Sequence, residues 1–332
     1  MAKNFTNVKA GAETIIKTWL HLRPKERLLI VSSDQYLKEA QILKAVGMKQ
    51  RGRVDLMIVE KKGKKVGVFF DENENIFKGY QAIIGASDYS IVTTKAAKKA
   101  IASGSKFLSL PLLTNDNRSL LEYPFLQMDT KKSKMMAHVI MGYLQGASEV
   151  RVTTQAGSDL KFYKRGRKPG FFNGVVKDGK GFSSASIEVY VPIEETKTEG
   201  IMVVDGSFGY IGKAKEPVKL IFKEGKIIEI EDNQEGRRLK AYIEDYKDPL
   251  MYSAAELGIG LNSLAKCAGN SYIEDESAYG TFHIGFGRNI ALGGIQEANG
   301  HFDVVAKRPD IYADNRMIMQ QGKIIVPEPQ VY

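Results

Sequence analysis

Two of the four histidines in the chain, His283 and His301, stand close together near its C-terminal end. The second of them opens the tripeptide His301-Phe302-Asp303. Because residues i and i+2 of a β-strand point to the same face, this imidazole and this carboxylate converge while Phe302 faces the core. Imidazole and carboxylate together suit zinc, manganese, cobalt or ferrous iron. We therefore predict a divalent-metal site around His301 and Asp303.

Glycines surround the other histidine of this pair. His283 lies in the strand-like run Gly280-Thr-Phe-His-Ile-Gly-Phe-Gly287, where glycines allow another backbone or a ligand to approach closely. Gly293-Gly294 then supplies a turn that brings the chain back toward His301. The pattern indicates His283 as a further candidate ligand.

Two carboxylates lie in apolar surroundings upstream of the histidines. Glu256 begins the small, glycine-rich segment that follows Ala254-Ala255, and a buried carboxylate there requires a partner because an unpaired charge in the interior is costly. Glu188 lies in the strand-like run Ile187-Glu-Val-Tyr-Val-Pro192, where alternation alone would also let it face solvent. Both are candidate metal ligands.

Several of these segments together resemble the aminopeptidase T family of metallopeptidases, which are thermophilic, leucyl-aminopeptidase-like enzymes. The order AELGIGLN, DESAYGTFHIGFG, Gly-Gly and HFD carries the resemblance, which covers roughly residues 150–326. The run IEVYVPIEE followed by GIMVVDGS is similar to that family's earlier glutamate-bearing strand. The resemblance implies that the metal ligands are Glu188, Glu256, His283, His301 and Asp303.

The resemblance also implies an activity. One or two divalent ions (zinc, cobalt or manganese) would activate water for removal of N-terminal residues from short peptides. A general base must then carry the proton from water to the leaving amine, and Glu276 is the candidate. The family further implies a cytoplasmic homodimer whose shielded active sites admit only short peptides or other small molecules.

The chain departs from the family pattern at two positions. Ile187 replaces the glycine that precedes the glutamate, and Ile290 replaces a tyrosine seven residues beyond His283. Isoleucine can neither bind a metal nor supply a proton, so Ile290 bears directly on the reaction. Two alternatives to an aminopeptidase-like hydrolase therefore stay open.

The first alternative is a ferrous-iron ring-cleaving dioxygenase, since the same fold family resembles enzymes that act on dihydroxypyridines. Such enzymes need open neighbouring positions on one iron, which an isoleucine at position 290 would favour. Against it, Glu256 and His283 match the peptidase pattern. The second alternative is a non-catalytic homologue that binds a ligand, or one whose metal only braces the fold, as closed four-ligand sites do.

The elements expected to position these residues fall into two domains. Residues 1–148 alternate between helical and strand-like patterns, which predicts a three-layer α/β domain with a mostly parallel sheet. Residues 149–332 are richer in short strands, and we expect an α+β metal-binding domain there. The pattern predicts helices at residues 10–22, 36–47, 95–102 and 131–144, and strands at residues 27–32, 54–59, 66–70, 89–93 and 107–110 in the first part and 150–154, 187–191, 201–204, 218–222, 227–230, 282–286 and 302–305 in the second.

Composition excludes several other classes of protein. A length of 332 residues favours two domains. The sequence has no phosphate-binding glycine motif, and its single cysteine fits a reducing compartment. Lysine and arginine exceed aspartate and glutamate by 48 − 39 = 9, but in scattered clusters, so nucleic-acid binding is not expected. With neither an apolar signal sequence nor a membrane span in the pattern, we expect a cytoplasmic protein.

Overall fold

The computed structural model describes residues 5–60, 63–176 and 181–327. Its α-helices are α1 Phe5–Glu13, α2 Leu37–Lys49, α3 Val66–Glu72, α4 Lys95–Ala102, α5 Thr130–Gly146, α6 Gln234–Glu244 and α7 Tyr272–Ser277. Its strands are β1 Arg27–Ser33, β2 Arg53–Val59, β3 Ala82–Ala86, β4 Lys106–Ser109, β5 Glu149–Thr154, β6 Asp159–Tyr163, β7 Gly170–Asn173, β8 Gly181–Ser184, β9 Ile187–Pro192, β10 Glu199–Val204, β11 Val218–Lys223, β12 Lys226–Ile230, β13 Ala254–Gly260, β14 Thr281–Gly287, β15 His301–Lys307, β16 Pro309–Ala313, β17 Arg316–Gln320 and β18 Lys323–Ile324.

The chain forms two compact units. One comprises Met1–Thr130 with Phe172–Ser186, and the other comprises Lys131–Phe171 with Ile187–Tyr332, within the described residues. The chain therefore enters the second unit, returns briefly to the first, and then completes the second. The single boundary between residues 148 and 149 stays a prediction.

The first unit is built on a parallel sheet with the strand order β2-β1-β3-β4-β8. Strands of such sheets are covered on both faces, so they read as continuous apolar runs, as β1 does from Leu28 to Val31. Side chains of α3 and α4, including Phe70 and Ala97, pack in a core with Leu29 and Val31. The predicted α/β class with a mostly parallel sheet is confirmed.

Two predicted strands of this unit are wrong. Residues 66–70 form the start of α3, where Val66 and Phe70 lie one turn apart and are both buried, so the apolar run is a helical stripe. Residues 89–93 form no strand, and β3 lies seven residues upstream at Ala82. The Ser87 hydroxyl donates to the Tyr89 carbonyl at 2.7 Å and so stabilises a bend where a strand was expected.

The predicted first helix is present in two parts. Helix α1 ends at Glu13, and a π-helix, Thr14–Trp19, continues it with Ile15, Ile16 and Trp19 buried. The wider turn of a π-helix changes the spacing of the buried face, which explains why the apolar pattern extends beyond α1. Every helix of the described part of the chain is too short or too polar to cross a membrane.

The second unit contains two antiparallel sheets. An eight-stranded sheet has the order β12-β11-β10-β6-β5-β16-β17-β18, and a five-stranded sheet contains β15, β14, β13 and β9 of this unit, in that order. The five-stranded sheet buries one face through Phe282, Ile284, Phe286 and Phe302, and the rings of the last two stack at 5.2 Å. Its other face carries the candidate metal ligands. The predicted β-rich second part is thus confirmed.

Candidate metal centre

Strand register brings the predicted ligands onto one face of the five-stranded sheet. Glu256 in β13 pairs with Gly285 in β14, which pairs with Asp303 in β15. His283 lies two residues before Gly285, and His301 two residues before Asp303, so both imidazoles share this face. Alternation in three neighbouring strands therefore gathers four side chains.

Glycines keep the space between these side chains open. A Cβ atom at Gly285 would lie 2.7 Å from Asp303 Oδ1, 2.8 Å from His301 Cε1 and 2.9 Å from the Glu256 Cβ. A Cβ atom at Gly258, the partner of His283 in β13, would overlap Nε2 of that imidazole. The centre of the sheet thus lacks side chains where the functional groups converge.

The functional groups of the centre lie within contact distance of one another. His301 Nε2 is 3.2 Å from Glu256 Oε2 and 3.3 Å from Asp303 Oδ1. His283 Nε2 is 2.8 Å from Glu188 Oε2. Candidate ligand atoms lie within 4.8 Å of one another in three overlapping groups, namely Glu188/Glu256/His283, Glu256/His301/Asp303 and Glu276/His283/Asp303. All five predicted ligands and Glu276 therefore meet in one cluster.

Neighbouring groups orient two of these side chains. His301 Nδ1 is 2.8 Å from the carbonyl oxygen of Arg288, which can only accept, so Nδ1 carries a proton in this hydrogen bond. In the neutral ring Nε2 then keeps its lone pair and points into the cluster. The phenol of Tyr272 donates to Asp303 Oδ2. Both contacts are of the kind that fixes metal ligands in orientation.

Burial shapes the electrostatics of the cluster. Glu188, Glu256, Glu276 and Asp303 are all at most 4% exposed. Burial, aided by the nearby carboxylates of Glu188 and Asp303, raises the pKa of Glu276 well above its ordinary value. Burial raises the pKa of Glu256 as well. Four carboxylates in one buried volume cannot all ionise without a compensating positive charge.

For the two imidazoles, burial and the neighbouring carboxylates shift the pKa in opposite directions. Burial alone lowers the pKa of His283, but the carboxylate of Glu188 outweighs it and the pKa rises to about 9. The pKa of His301 is raised well above its ordinary value because Asp303 outweighs the effect of burial. Burial raises the pKa of Asp303, yet the His301 charge prevails and the pKa falls to about 2. The cluster therefore attracts cations.

The residues present fit a divalent metal ion. Asp303 Oδ1 and His283 Nδ1 are buried and make no hydrogen bond to any described residue. Buried polar atoms ordinarily have such partners, and a cation would satisfy the carboxylate oxygen. Oxygen and imidazole donors without thiolate suit the first-row dications. The donor set and its negative charge therefore favour a divalent metal here.

Sequence patterns missed two tyrosines of this centre. Tyr190 in β9 lies two residues beyond Glu188 and opposite Gly258, so strand alternation could have placed it on this face. Burial and then the charges of Glu256 and Glu188 raise the pKa of Tyr190 to about 12. Tyr272 begins α7, and no sequence pattern links it to Asp303. Ile290 begins a short 3₁₀ helix, Ile290–Leu292, and is half-buried.

Comparison with known protein families identifies the family of this chain. The profile of the 2,5-dihydroxypyridine 5,6-dioxygenase family (NicX) matches residues 89–326, well over half of the chain. The chain belongs to this family. The matched segment contains all six members of the cluster, from Glu188 to Asp303.

Individual relatives agree with the family. A 2,5-dihydroxypyridine 5,6-dioxygenase of Pseudomonas putida KT2440 is 24% identical over 215 residues, a match that spans 60% of this chain and 60% of that protein. The solved structure of 2,5-dihydroxypyridine dioxygenase from Pseudomonas putida KT2440 has a TM-score of 0.80 at 17% identity, with 97% of each chain covered. AmpT from Thermus thermophilus has a TM-score of 0.68 at 14% identity, covering 97% of this chain and 100% of AmpT. The two structural likenesses show the fold alone.

The predicted membership of the aminopeptidase T family is wrong, and with it the hydrolase and zinc-peptidase assignment. The family match and the curated relative are dioxygenases, whereas AmpT shares the fold with a lower TM-score. The error has a physical cause. Imidazole and carboxylate donors on a glycine-rich sheet specify a divalent cation, but hydrolysis and oxygen chemistry both use such donors. The motifs indicated a metal without indicating the reaction.

Proposed function

We propose that the chain is a ferrous-iron dioxygenase that opens the ring of a dihydroxypyridine. The observation that carries the proposal is the group Glu256/His301/Asp303, whose carboxylates are buried and whose imidazole is partly buried, in a chain of the 2,5-dihydroxypyridine 5,6-dioxygenase family. Iron oxygenases commonly bind their metal through three protein side chains that leave neighbouring positions open. Here the three are one imidazole and two carboxylates, whose charges offset that of a dication.

Ferrous iron, when bound, would supply the electronic coupling that lets dioxygen react with an aromatic ring. The protein's part is to hold it with His301 Nε2 and with oxygens of Glu256 and Asp303. His301 is suited to this because its other nitrogen is engaged by the Arg288 carbonyl at 2.8 Å. The sheet's apolar opposite face keeps these strands rigid behind the ligands.

His283 is proposed as the acceptor of a proton from a substrate hydroxyl group. Its Nε2 faces Glu188 Oε2 at 2.8 Å, which would hold a proton there, while Nδ1 has no hydrogen-bond partner among the described residues. A base of this kind must lie within reach of the hydroxyl it deprotonates. The carboxylate of Glu188 would stabilise the imidazolium that results.

Glu276 is proposed as a proton carrier rather than as the base first considered. Its carboxyl group faces Asp303 and is buried among other carboxylates, which raises its pKa well above the ordinary value. A carboxyl group in such surroundings keeps its proton to a higher pH than an exposed one. Glu276 could return this proton to the ring-opened product.

Oxygen consumption tests the proposal. Protein purified without metal is loaded anaerobically with ferrous iron and mixed with 2,5-dihydroxypyridine or its positional isomers in an oxygen electrode. We expect one dioxygen to be consumed per substrate, and mass spectrometry to show a product heavier by both oxygen atoms. Glu256→Gln serves as the matched control and should consume little oxygen.

Two outcomes would count against the proposal. Iron-loaded protein that consumes no oxygen with any isomer would remove the dioxygenase activity and leave a metal-braced or ligand-binding protein. Equal oxygen uptake by wild type and Glu256→Gln would remove Glu256 from the ligand set. The homodimer, the cytoplasmic location and the identity of the metal stay proposals, to be tested by light scattering, fractionation and elemental analysis.

A further inference from the structure

The two oxygens of Asp303 lie in different environments. Oδ2 accepts the hydrogen bond of the Tyr272 phenol. Oδ1 is buried and faces His301 Nε2 at 3.3 Å, the nitrogen that would bind the metal, and the carboxyl group of Glu276 also faces Asp303. A metal held by His301 and Asp303 would therefore meet one engaged oxygen and one available oxygen.

Tyr272 is itself held firmly in place. It is 8% exposed and begins α7, whose first turn is capped by the Ser271 hydroxyl. Its ring stacks on that of Tyr210 with a centroid distance of 4.2 Å and an interplanar angle of 18°. Gly209, at a φ of +57°, lies so near that a Cβ atom there would be 3.1 Å from Tyr272 Cδ2 and 2.7 Å from the Asp303 carbonyl oxygen. The phenol therefore has little freedom to leave Asp303.

We propose that Tyr272 is a positioning residue that makes Asp303 a one-oxygen metal ligand through Oδ1. Carboxylates bind metals through one oxygen or through both, and two-oxygen binding occupies an additional coordination position. A dioxygenase that binds both substrate and oxygen needs that position open. The inference deepens the proposed function, on which it rests for its catalytic meaning, but the geometry applies to any divalent cation at this site.

The test removes one oxygen atom from the protein. Tyr272→Phe keeps the ring that stacks on Tyr210 and loses only the phenol donor. Cobalt(II) is the probe, since its visible spectrum reports coordination and its binding needs no turnover. We expect the dissociation constant of Tyr272→Phe for cobalt to rise by about 10- to 100-fold, which is the usual effect of removing a hydrogen-bond partner of a metal ligand. We also expect the visible bands to change as Asp303 gains the freedom to bind through both oxygens.

Tyr123→Phe is the matched control. Tyr123 is 2% exposed and donates its phenol to Asp116 Oδ1 at 2.8 Å, so the same atom is removed from a partly buried hydrogen bond in the other unit. Its cobalt spectrum and affinity should equal those of wild type. This comparison separates a loss of orientation from a general loss of stability.

The cobalt spectrum decides the outcome. A folded Tyr272→Phe protein with the wild-type spectrum overturns the inference, whatever its affinity. Should that variant fail to fold, a crystal structure of the cobalt-loaded wild type takes its place, and both Asp303 oxygens on the metal would overturn the inference. If wild type shows the expected cobalt spectrum but consumes no oxygen when loaded with iron instead, the proposed function fails and this inference stays intact.

Discussion

His301 uses its two ring nitrogens for different purposes. Nδ1 engages the carbonyl of Arg288 at 2.8 Å, and Nε2 lies between Glu256 and Asp303. Replacement by alanine would remove a ligand and leave two carboxylates facing each other. We expect His301→Ala to bind ferrous iron at least ~100-fold more weakly than wild type. Loss of a mere hydrogen-bond partner of a metal ligand can already lower metal affinity by about 100-fold.

Isothermal titration under anaerobic conditions measures this loss. His138→Ala is the control, because His138 is an exposed histidine of α5 whose ring lies 5.6 Å from that of Phe171 and outside the cluster. Its iron affinity should stay at the wild-type value. Iron binding to His301→Ala at wild-type affinity would show that the metal sits elsewhere.

The protonation of His283 is linked to metal binding at the neighbouring residues. Without metal, the charge of Glu188 raises the pKa of this imidazole to about 9, so it is protonated at neutral pH. A dication held beside it by Glu256 and Asp303 repels the charged imidazole, so metal binding releases that proton, and it does so more readily as the pH increases. Apparent affinity should therefore rise by up to ~10-fold per pH unit between about pH 6 and about pH 9.

Cobalt titrations at several pH values would measure this slope, and the same series in His283→Gln would serve as comparison. We expect a shallower slope in the variant because one competing proton is gone. Identical slopes would mean that His283 keeps its proton when the metal binds, which would remove it as the proposed base.

Sequence patterns pointed to these candidate ligands but not to what surrounds them. His301 and Asp303 are two positions apart on a strand, and Glu256 and His283 stand among glycines, so alternation and composition pointed to them. Tyr272 and the carbonyl of Arg288 reach the ligands through the packing of a helix and a loop. Such contacts depend on the three-dimensional path of the chain and leave no local pattern.

At the scale of the elements, β14 is placed between two ligand-bearing strands. Gly285 lies there between Glu256 and Asp303, with no room for a side chain. We expect Gly285→Ala to lower metal affinity by at least ~10-fold. The added methyl group would lie too close to Glu256, His301 and Asp303, so at least one of these candidate ligands would have to move.

Gly146→Ala offers a matched control, because a Cβ atom at this last residue of α5 meets nothing within 4 Å. Metal affinity is measured by cobalt titration, and folding by circular dichroism. A folded Gly285→Ala protein with wild-type affinity would mean that the strands can separate freely at this point.

Two strands of the site, β14 and β15, were predicted from the sequence, whereas β13, which carries Glu256, was not. β14 and β15 alternate between core and site residues, so their period-two pattern is visible. In the first unit, the run Val66–Phe70 is equally apolar but forms a helix, and a short apolar run carries no period that separates the two structures. Packing against neighbouring elements, rather than the run itself, decides such cases.

At the scale of the whole molecule, the cluster reduces the stability of the metal-free protein. Folding raises the pKa of Glu276 above its ordinary value, so stability is greatest below that ordinary value and is lost as the pH rises through the raised one. Glu276→Gln removes this effect. We expect its metal-free melting temperature to exceed that of wild type by a few degrees at mildly alkaline pH, where ~1 kcal/mol is worth about 2–4 °C.

Differential scanning calorimetry in the presence of a chelator measures this gain, which should shrink at mildly acidic pH. Glu229→Gln, an exposed position on β12, is the control and should leave the melting temperature unchanged. A metal-free Glu276→Gln protein that melts below wild type would show that the carboxyl group of Glu276 stabilises the cluster.

The division of the chain into units has a consequence for its synthesis. β8 completes the edge of the parallel sheet beside β4, yet more than seventy residues separate Ser109 from Gly181. A ribosome must therefore make the first segment of the second unit, Lys131–Phe171, before the first unit can finish. Until then β4, whose four residues are all buried in the folded protein, presents an open edge to other nascent chains. Folding factors that act during translation should matter more for this chain than its size suggests.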